Sequence, residues 1–142
     1  MNETQVSAAA ELAERGNLSQ VDLLVGDISA GSVASLSPEV TAANFGKLHS
    51  HAAKADLAAG LVNLVFQTIG VLACFSCLDW ENKTIAAVGT LATLPSAKRI
   101  LEEVGSLHGT TFLIPENAEY ATAIGAVIQF FHEKDDGKKV HS

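Results

Sequence analysis

The chain has 142 residues, of which 48% are hydrophobic and 18% are charged, and its formal net charge at pH 7 is −7. This length suffices for one domain with a buried core, and the composition is that of a globular protein with an apolar bias. The acidic balance disfavours nucleic acid as a partner, because phosphate backbones are also negative. The N-terminal segment is acidic and polar, which is not typical of a secretion signal, so we expect a cytoplasmic location.

The first predicted elements are short. Residues Ser7 to Gly16 predict a helix that ends at the glycine. The apolar segment Val21–Ile28 predicts either a short strand or a helical turn, and its pattern does not decide between them. Within it, Asp27 fits either a site carboxylate or a turn cap. A Ser/Gly-rich loop is expected at residues 29–40, followed by the small and polar stretch Thr41–Lys47.

A long helix is predicted next, because no charged residue occurs from Leu57 to Leu78. Its small and polar side chains recur every three or four residues and form one stripe: Gly60, Asn63, Gln67, Gly70 and Cys74. The remaining circumference is apolar, which is typical of a helix buried on several sides. The length also permits a membrane span. We disfavour the span because the rest of the chain has a soluble α/β pattern, and because flanking anchors are few beyond Lys54 and Trp80.

Two cysteines, Cys74 and Cys77, lie near the end of this helix with redox-motif spacing. Thiol exchange needs an exposed thiolate, which the C-terminal end of a helix dipole disfavours. Two cysteines without a nearby histidine pair also do not complete a structural zinc site. We therefore expect both to be small buried apolar side chains.

The second half of the chain predicts the order strand, helix, strand, helix, which favours a parallel βαβ unit. The strands are Thr84–Thr90 and Thr110–Pro115, a helix begins at Pro95, and Asn117 is the expected N-cap of the last helix. Two strands are few for such helices to cover. Either a third strand lies in Leu23–Ile28, or the sheet is completed by other polypeptide; we favour the second.

Side chains that carry chemistry are sparse. His49 and His51 would need further ligands to hold a metal, and we expect an exposed pair. Glu102 and Glu103 are expected on the solvated face of their helix, and the Gly-Lys pair at Lys47 lacks the rest of a phosphate-binding loop. No nucleophile, base and orienting group can be assembled, and no metal site is expected.

Several stretches taken in order resemble the type II pantothenate kinases of the actin-like ATPase superfamily. They are "VDLLVGDI", "TAANFGK", "DLAAGLVNLVFQTIG", "TIAAVGT" and "ENAEYATAIGA", which together run from about Val21 to Ile128. The resemblance implies an α/β fold: the C-terminal lobe of an actin-like or ribonuclease H-like protein, with few parallel strands packed with long apolar helices. That lobe would span residues 1–134, and residues 135–142 would be a polar, disordered tail.

The resemblance also implies the chemistry. Such kinases transfer the γ-phosphate of ATP, with Mg²⁺, to pantothenate in the first step of coenzyme A synthesis, and they act as homodimers through the long helix and C-terminal elements. The phosphate-binding motifs and the catalytic glutamate of the family lie upstream of the matching region. The chain is therefore expected to be inactive alone, with a second copy or the missing N-terminal half as its partner.

Only one pair of site residues carries over by resemblance. Gly89 and Thr90 match the strand end that approaches the nucleotide in the family, although a tight strand-to-helix turn explains them equally well. Ala118 stands where the family has glycine, which would weaken nucleotide contact. Three functions remain open: part of a pantothenate kinase, a non-catalytic dimerisation or regulatory module with the same fold, and a membrane-associated protein.

Overall fold

Helices dominate the computed structural model, which describes residues 3–29 and 36–139, with side chains described for 7–29 and 36–132. The α-helices are α1 (Glu3–Ala13), α2 (Val25–Ile28), α3 (Lys54–Ser76), α4 (Pro95–His108) and α5 (Ala121–Lys139). The strands are β1 (Leu23–Leu24), β2 (Thr41–Ala43), β3 (Thr84–Ala86) and β4 (Thr111–Leu113). Three 3₁₀ turns lie at Leu18–Gln20, Thr90–Thr93 and Ala118–Tyr120.

The strands form two separate two-stranded sheets. β3 and β4 pair in parallel, with Ile85 opposite Phe112, and α4 connects them, which confirms the predicted parallel βαβ unit. β1 pairs antiparallel with β2. The segment Val21–Ile28 therefore contains both a strand and a helical turn, but its strand does not extend the parallel pair. Within the described residues the parallel sheet has two strands, and the fold is mixed α/β.

The small-residue stripe of α3 is where the other elements pack. The buried residues of α3 are four residues of this stripe, Gly60, Asn63, Gly70 and Cys74, together with Phe66. A Cβ atom on Gly70 would lie 3.1 Å from Val104 Cγ1 of α4, and one on Gly60 would lie 2.9 Å from Val21 Cγ2. Glycine at these two positions thus lets α4 and the chain before β1 approach the helix axis closely.

Helix α4 contributes the facing half of the core. Its buried residues recur with helical spacing: Ala97, Ile100, Leu101, Val104 and Gly105. All of them except Gly105 form one cluster with Phe66 and Cys74 of α3. Cys74 and Cys77 are 3% and 5% exposed and are not disulfide-bonded, which agrees with the expected role as small buried side chains.

The opposite face of α3 is uncovered. Its exposed large side chains are Leu57, Leu61, Leu64, Val65, Ile69, Leu72 and Phe75. The sequence predicted burial on several sides, whereas this chain buries the helix on one side and leaves an apolar face in solvent. By length and composition α3 is also able to cross a membrane, a property that core helices of soluble proteins share.

Polar side chains fix several helix ends, in ways that differ from the sequence prediction. Asn117 is not the expected N-cap: it adopts a left-handed conformation (φ 57°) and its side chain makes no capping hydrogen bond, because a 3₁₀ turn intervenes before α5. Glu14, directly after α1, caps α4 instead of a local residue, since its Oε1 accepts from the Ser96 N–H at 3.0 Å. Glu102 and Glu103 are exposed, as expected.

Asp22 is fully buried and organises the loop that follows β2. Its Oδ1 accepts from the Phe45 N–H at 2.8 Å, and its Oδ2 accepts from Asn63 Nδ2 at 2.7 Å. The same Asn63 nitrogen donates to Thr41 Oγ1 at 3.0 Å. The Thr41 hydroxyl in turn donates to Asp22 Oδ2 at 3.5 Å. Because Phe45, Asn63 and Thr41 all donate to it, the carboxylate is suited to hold β2, the loop and α3 together.

Asp27 has a local role rather than a site role. Its Oδ2 accepts from Lys47 Nζ at 2.7 Å and from the Leu24 N–H at 2.8 Å. The hydrogen bond from Lys47, and then that from Leu24, lower the pKa of Asp27 below its usual value, against a smaller opposing effect of desolvation. The alternative of a turn cap is therefore the one observed.

We expect the Asp22→Asn variant to be less stable than the wild type by about 2 kcal/mol, because one acceptor oxygen becomes an amide donor that faces other donors. Urea denaturation of both proteins measures this difference. Asp79→Asn, a change at an exposed carboxylate after α3, is the control and is expected to shift stability by less than about 0.5 kcal/mol. Equal losses in the two variants would contradict the proposed role of Asp22.

We expect the contribution of Asp27 to stability to depend on pH. Because its pKa is lower in the folded protein, the ionised group stabilises the fold above about pH 4, and this contribution is lost as the pH falls through the folded-state pKa. The difference in Tm between the wild type and Asp27→Asn should therefore be largest near neutral pH and shrink below pH 4. A difference that stays constant with pH would contradict it.

Candidate functional site

The end of β3 presents an open stretch of backbone at Gly89. This residue has φ 108°, a conformation that favours glycine, and its N–H donates to the Ala118 carbonyl at 2.9 Å. Among the described residues other than its two chain neighbours, no atom lies within 4 Å of the position that a Cβ on Gly89 would occupy. A ligand is therefore able to approach this backbone closely, at the carboxyl end of a parallel strand where α/β folds bind ligands.

Thr90 follows as the first residue of the 3₁₀ turn Thr90–Thr93 and is exposed. Its carbonyl accepts from Thr93 Oγ1 at 2.8 Å, which fixes the turn. Leu91, Leu94 and the start of α4 follow directly. The side chain of Thr90 thus stands on a rigid turn between β3 and α4.

This turn forms one wall of a cleft of about 850 Å³. Thr90 and Leu91 line it on this side, Glu119 and Tyr120 from the turn before α5 line a second side, and α1 supplies a third wall. The volume falls in the range of small-molecule sites. The cleft therefore joins the two turns at the carboxyl end of the parallel pair to the N-terminal helix.

The charge of the cleft is negative. Glu11, Glu14 and Glu119 line it, and no lysine or arginine is among its lining residues in the described parts of the chain. Such a surface repels a triphosphate and instead suits apolar groups and hydroxyl donors. Glu14 also holds the start of α4 through Ser96, so this carboxylate links α1 to the turn that carries Thr90.

The other residues with candidate chemistry lie elsewhere. His49 and His51 are exposed in the loop before α3, as expected. Within residues 3–29 and 36–139, no group of three or more His, Cys, Asp or Glu side chains is arranged to hold a metal ion. Of the two residues that the sequence singled out at this site, Thr90 lines the cleft and Gly89 directly precedes it.

Most of the cleft was not found from the sequence. Its other walls come from α1 and from the turn at Ala118–Tyr120, and the sequence analysis assigned no site residue to either segment. The hydrogen bond between Glu14 and Ser96 joins residues 82 positions apart. No local signal marks such a contact, since it depends on how α1 packs against the core.

Comparison with known proteins identifies relatives over the same region. The sequence profile of a family described as Fumble matches residues 1–129. The chain is also 28% identical over 129 residues to the type II pantothenate kinase of Oceanobacillus iheyensis, which covers 89% of this chain and 49% of that relative. The chain thus spans about half the length of the curated relative that it matches.

The family match extends over both the long helix and the parallel βαβ unit, and the half-length match agrees with the expectation of a C-terminal half. The chain therefore belongs to the Fumble family of pantothenate kinase-like proteins.

Proposed function

We propose that this chain is the C-terminal lobe of a cytoplasmic pantothenate kinase, with an actin-like fold, and that its cleft contacts ATP through Gly89 and Thr90. The observation that supports the proposal most is the family match over residues 1–129, a range that includes Gly89 with its open backbone. The position of this glycine at the carboxyl end of a parallel strand supports the same function.

The cleft fits the nucleoside end of ATP better than its phosphates. Leu91 and Tyr120 provide apolar surface, and the Thr90 hydroxyl and the Glu119 carboxylate provide hydrogen-bonding groups. The three lining glutamates disfavour a triphosphate at the same place. The adenosine portion would therefore lie here, and the phosphates would point away from α1.

The lobe alone is not expected to transfer phosphate. Phosphoryl transfer depends on positioned charges around the phosphates, and the lining of this cleft is acidic. The described residues also offer no cluster of ligands for Mg²⁺, so the groups that hold the metal would come from the other half of the fold. Pantothenate would likewise be bound only in the completed protein.

The lobe would form a homodimer through the exposed face of α3. Leu61, Val65 and Leu72 are between 41% and 65% exposed on this face, opposite the buried glycine stripe. The face runs along a 23-residue helix, and large contiguous apolar patches on a protein surface mark interaction sites. An isologous contact between two copies would bury it.

A second candidate function is a non-catalytic dimerisation or regulatory module with the same fold. The acidic cleft favours it, because a surface that repels phosphates has little affinity for a nucleotide. This function predicts the same dimer through α3 but no binding of ATP. The two functions are therefore separated by one binding measurement.

We expect the purified chain to bind Mg-ATP weakly, and Thr90→Ala to weaken binding about tenfold through loss of one hydrogen bond. Isothermal titration calorimetry at millimolar nucleotide measures both. Thr111→Ala changes an exposed threonine at the opposite end of the parallel pair and should bind as the wild type does. A folded wild-type chain that binds no Mg-ATP would contradict the nucleotide cleft and support the module.

We expect the double variant Leu61→Glu and Leu72→Glu to be monomeric, because charges on both copies would face each other across an apolar contact. Light scattering of the wild type should give the mass of a dimer, and that of the variant the mass of one chain. Leu107→Glu introduces a charge at a similarly exposed leucine on α4 and should remain dimeric. A monomeric wild type, or a dimeric double variant, would contradict this interface.

A further inference from the structure

The turn before α5 presents two unengaged side chains to the cleft. Glu119 and Tyr120 both line the cleft, and both are exposed, Tyr120 by 60%. Among the described residues, the Glu119 carboxylate forms no hydrogen bond or ion pair, and the Tyr120 ring stacks on no other ring. Both groups are therefore available to a ligand.

Backbone hydrogen bonds hold this turn against the end of β3. The Gly89 N–H donates to the Ala118 carbonyl at 2.9 Å, and the Tyr120 N–H donates to the Asn117 carbonyl at 2.9 Å. The two 3₁₀ turns that line the cleft also pack on each other. Glu119, which follows Ala118, is thus held in place beside the strand end.

The three carboxylates of the cleft are not equivalent. Glu14 Oε1 already accepts from the Ser96 N–H at 3.0 Å. Glu11 lies on α1, on another wall of the cleft. Glu119 stands beside the strand end, and in the described chain both of its carboxylate oxygens are unused. A ligand bound over the strand end therefore has Glu119 as its neighbouring carboxylate.

The chemistry of the two side chains matches the uncharged parts of a ribonucleoside. An ionised carboxylate accepts hydrogen bonds and donates none, and the two adjacent hydroxyls of a ribose supply one donor to each of its oxygens. Dinucleotide-binding folds use an acidic side chain on the ribose in the same way. The exposed ring of Tyr120 offers a face on which a base stacks.

The charge around the cleft acts against phosphate. No lysine or arginine is among its lining residues in the described parts of the chain. The first two cations of α4, Lys98 and Arg99, form ion pairs with Glu102 and Glu103. A negative group in the cleft is therefore repelled by the glutamates, and no lining cation offsets that repulsion.

We propose that Glu119 is a specificity-determining residue that accepts hydrogen bonds from the 2′ and 3′ hydroxyls of a ribose while Tyr120 stacks on the base. The cleft then prefers a neutral ribonucleoside to its phosphates. This inference rests on the proposed function, since it takes the nucleotide cleft as its site. It adds that the nucleoside end supplies the affinity of this chain for ATP and that the triphosphate reduces it.

The test compares adenosine, 2′-deoxyadenosine and Mg-ATP by isothermal titration calorimetry of the purified chain. We expect adenosine to bind about fivefold more tightly than Mg-ATP at low ionic strength, where the repulsion is little screened. We expect 2′-deoxyadenosine to bind about fivefold more weakly than adenosine, because it lacks one donor. Added salt should strengthen the binding of Mg-ATP and leave that of adenosine unchanged.

Substitutions at the two residues separate their roles. Glu119→Ala removes both acceptors and one charge, so it should bind adenosine and 2′-deoxyadenosine equally and show a smaller preference for adenosine over Mg-ATP. Tyr120→Ala should weaken adenosine binding about tenfold, whereas Tyr120→Phe, which keeps the ring, should not. Glu116→Ala makes the same charge change at an exposed residue that does not line the cleft, and it should keep both preferences of the wild type.

Three outcomes would overturn the inference. The first is a wild-type chain that binds adenosine and 2′-deoxyadenosine equally, and the second is tighter binding of Mg-ATP than of adenosine at low ionic strength. The third is an equal effect of Glu119→Ala and Glu116→Ala. In each case, Mg-ATP binding by the wild type would leave the proposed function in place.

The proposed function is separated from the inference by the wild-type chain alone. A chain that binds adenosine with the expected dependence on Glu119 but does not bind Mg-ATP would support the inference and contradict the function. A folded chain that binds neither adenosine nor Mg-ATP would contradict both.

Discussion

The close approach that α3 permits along its small-residue stripe is the constraint on which the rest of the structure depends. Gly70 brings α4 onto the helix, and Gly60 admits Val21, which precedes β1. Because α4 is the crossover of the parallel pair, its position against α3 also sets where β3 ends. The cleft beside Thr90 therefore depends on the packing of α4 against α3. A larger side chain in place of Gly60 or Gly70 would move the walls of the cleft apart.

Helix α3 is buried on only one side, and its exposed side is the basis of the proposed dimer. The core joins α3 to α4, while the outer face of α3 and apolar side chains of α5, such as Ile124 and Phe131, remain in solvent. Covering such faces would stabilise the protein, because apolar area removed from water is the main source of stability. The chain matches about half the length of its curated relative.

Local signals predicted the local structure well. The proline at Pro95 and the alternation of apolar segments placed α4 and the parallel pair, and the spacing of Gly60 and Gly70 located the buried side of α3. Prediction was wrong where a distant residue replaced a local one. Asn117 was expected to cap the last helix but turns the chain in a left-handed conformation. The cap of α4 comes from Glu14, at the other end of the sequence.

The sequence by itself determined the family, the long apolar helix and the βαβ order, because each depends on the order and spacing of residues along the chain. Only the tertiary structure decided which face of α3 is covered, that Asp22 is buried among donors, and that α1 closes an acidic cleft beside Thr90. These features arise from contacts between residues far apart in sequence. Such contacts are chosen by packing and hydrogen-bond satisfaction, which no local pattern encodes.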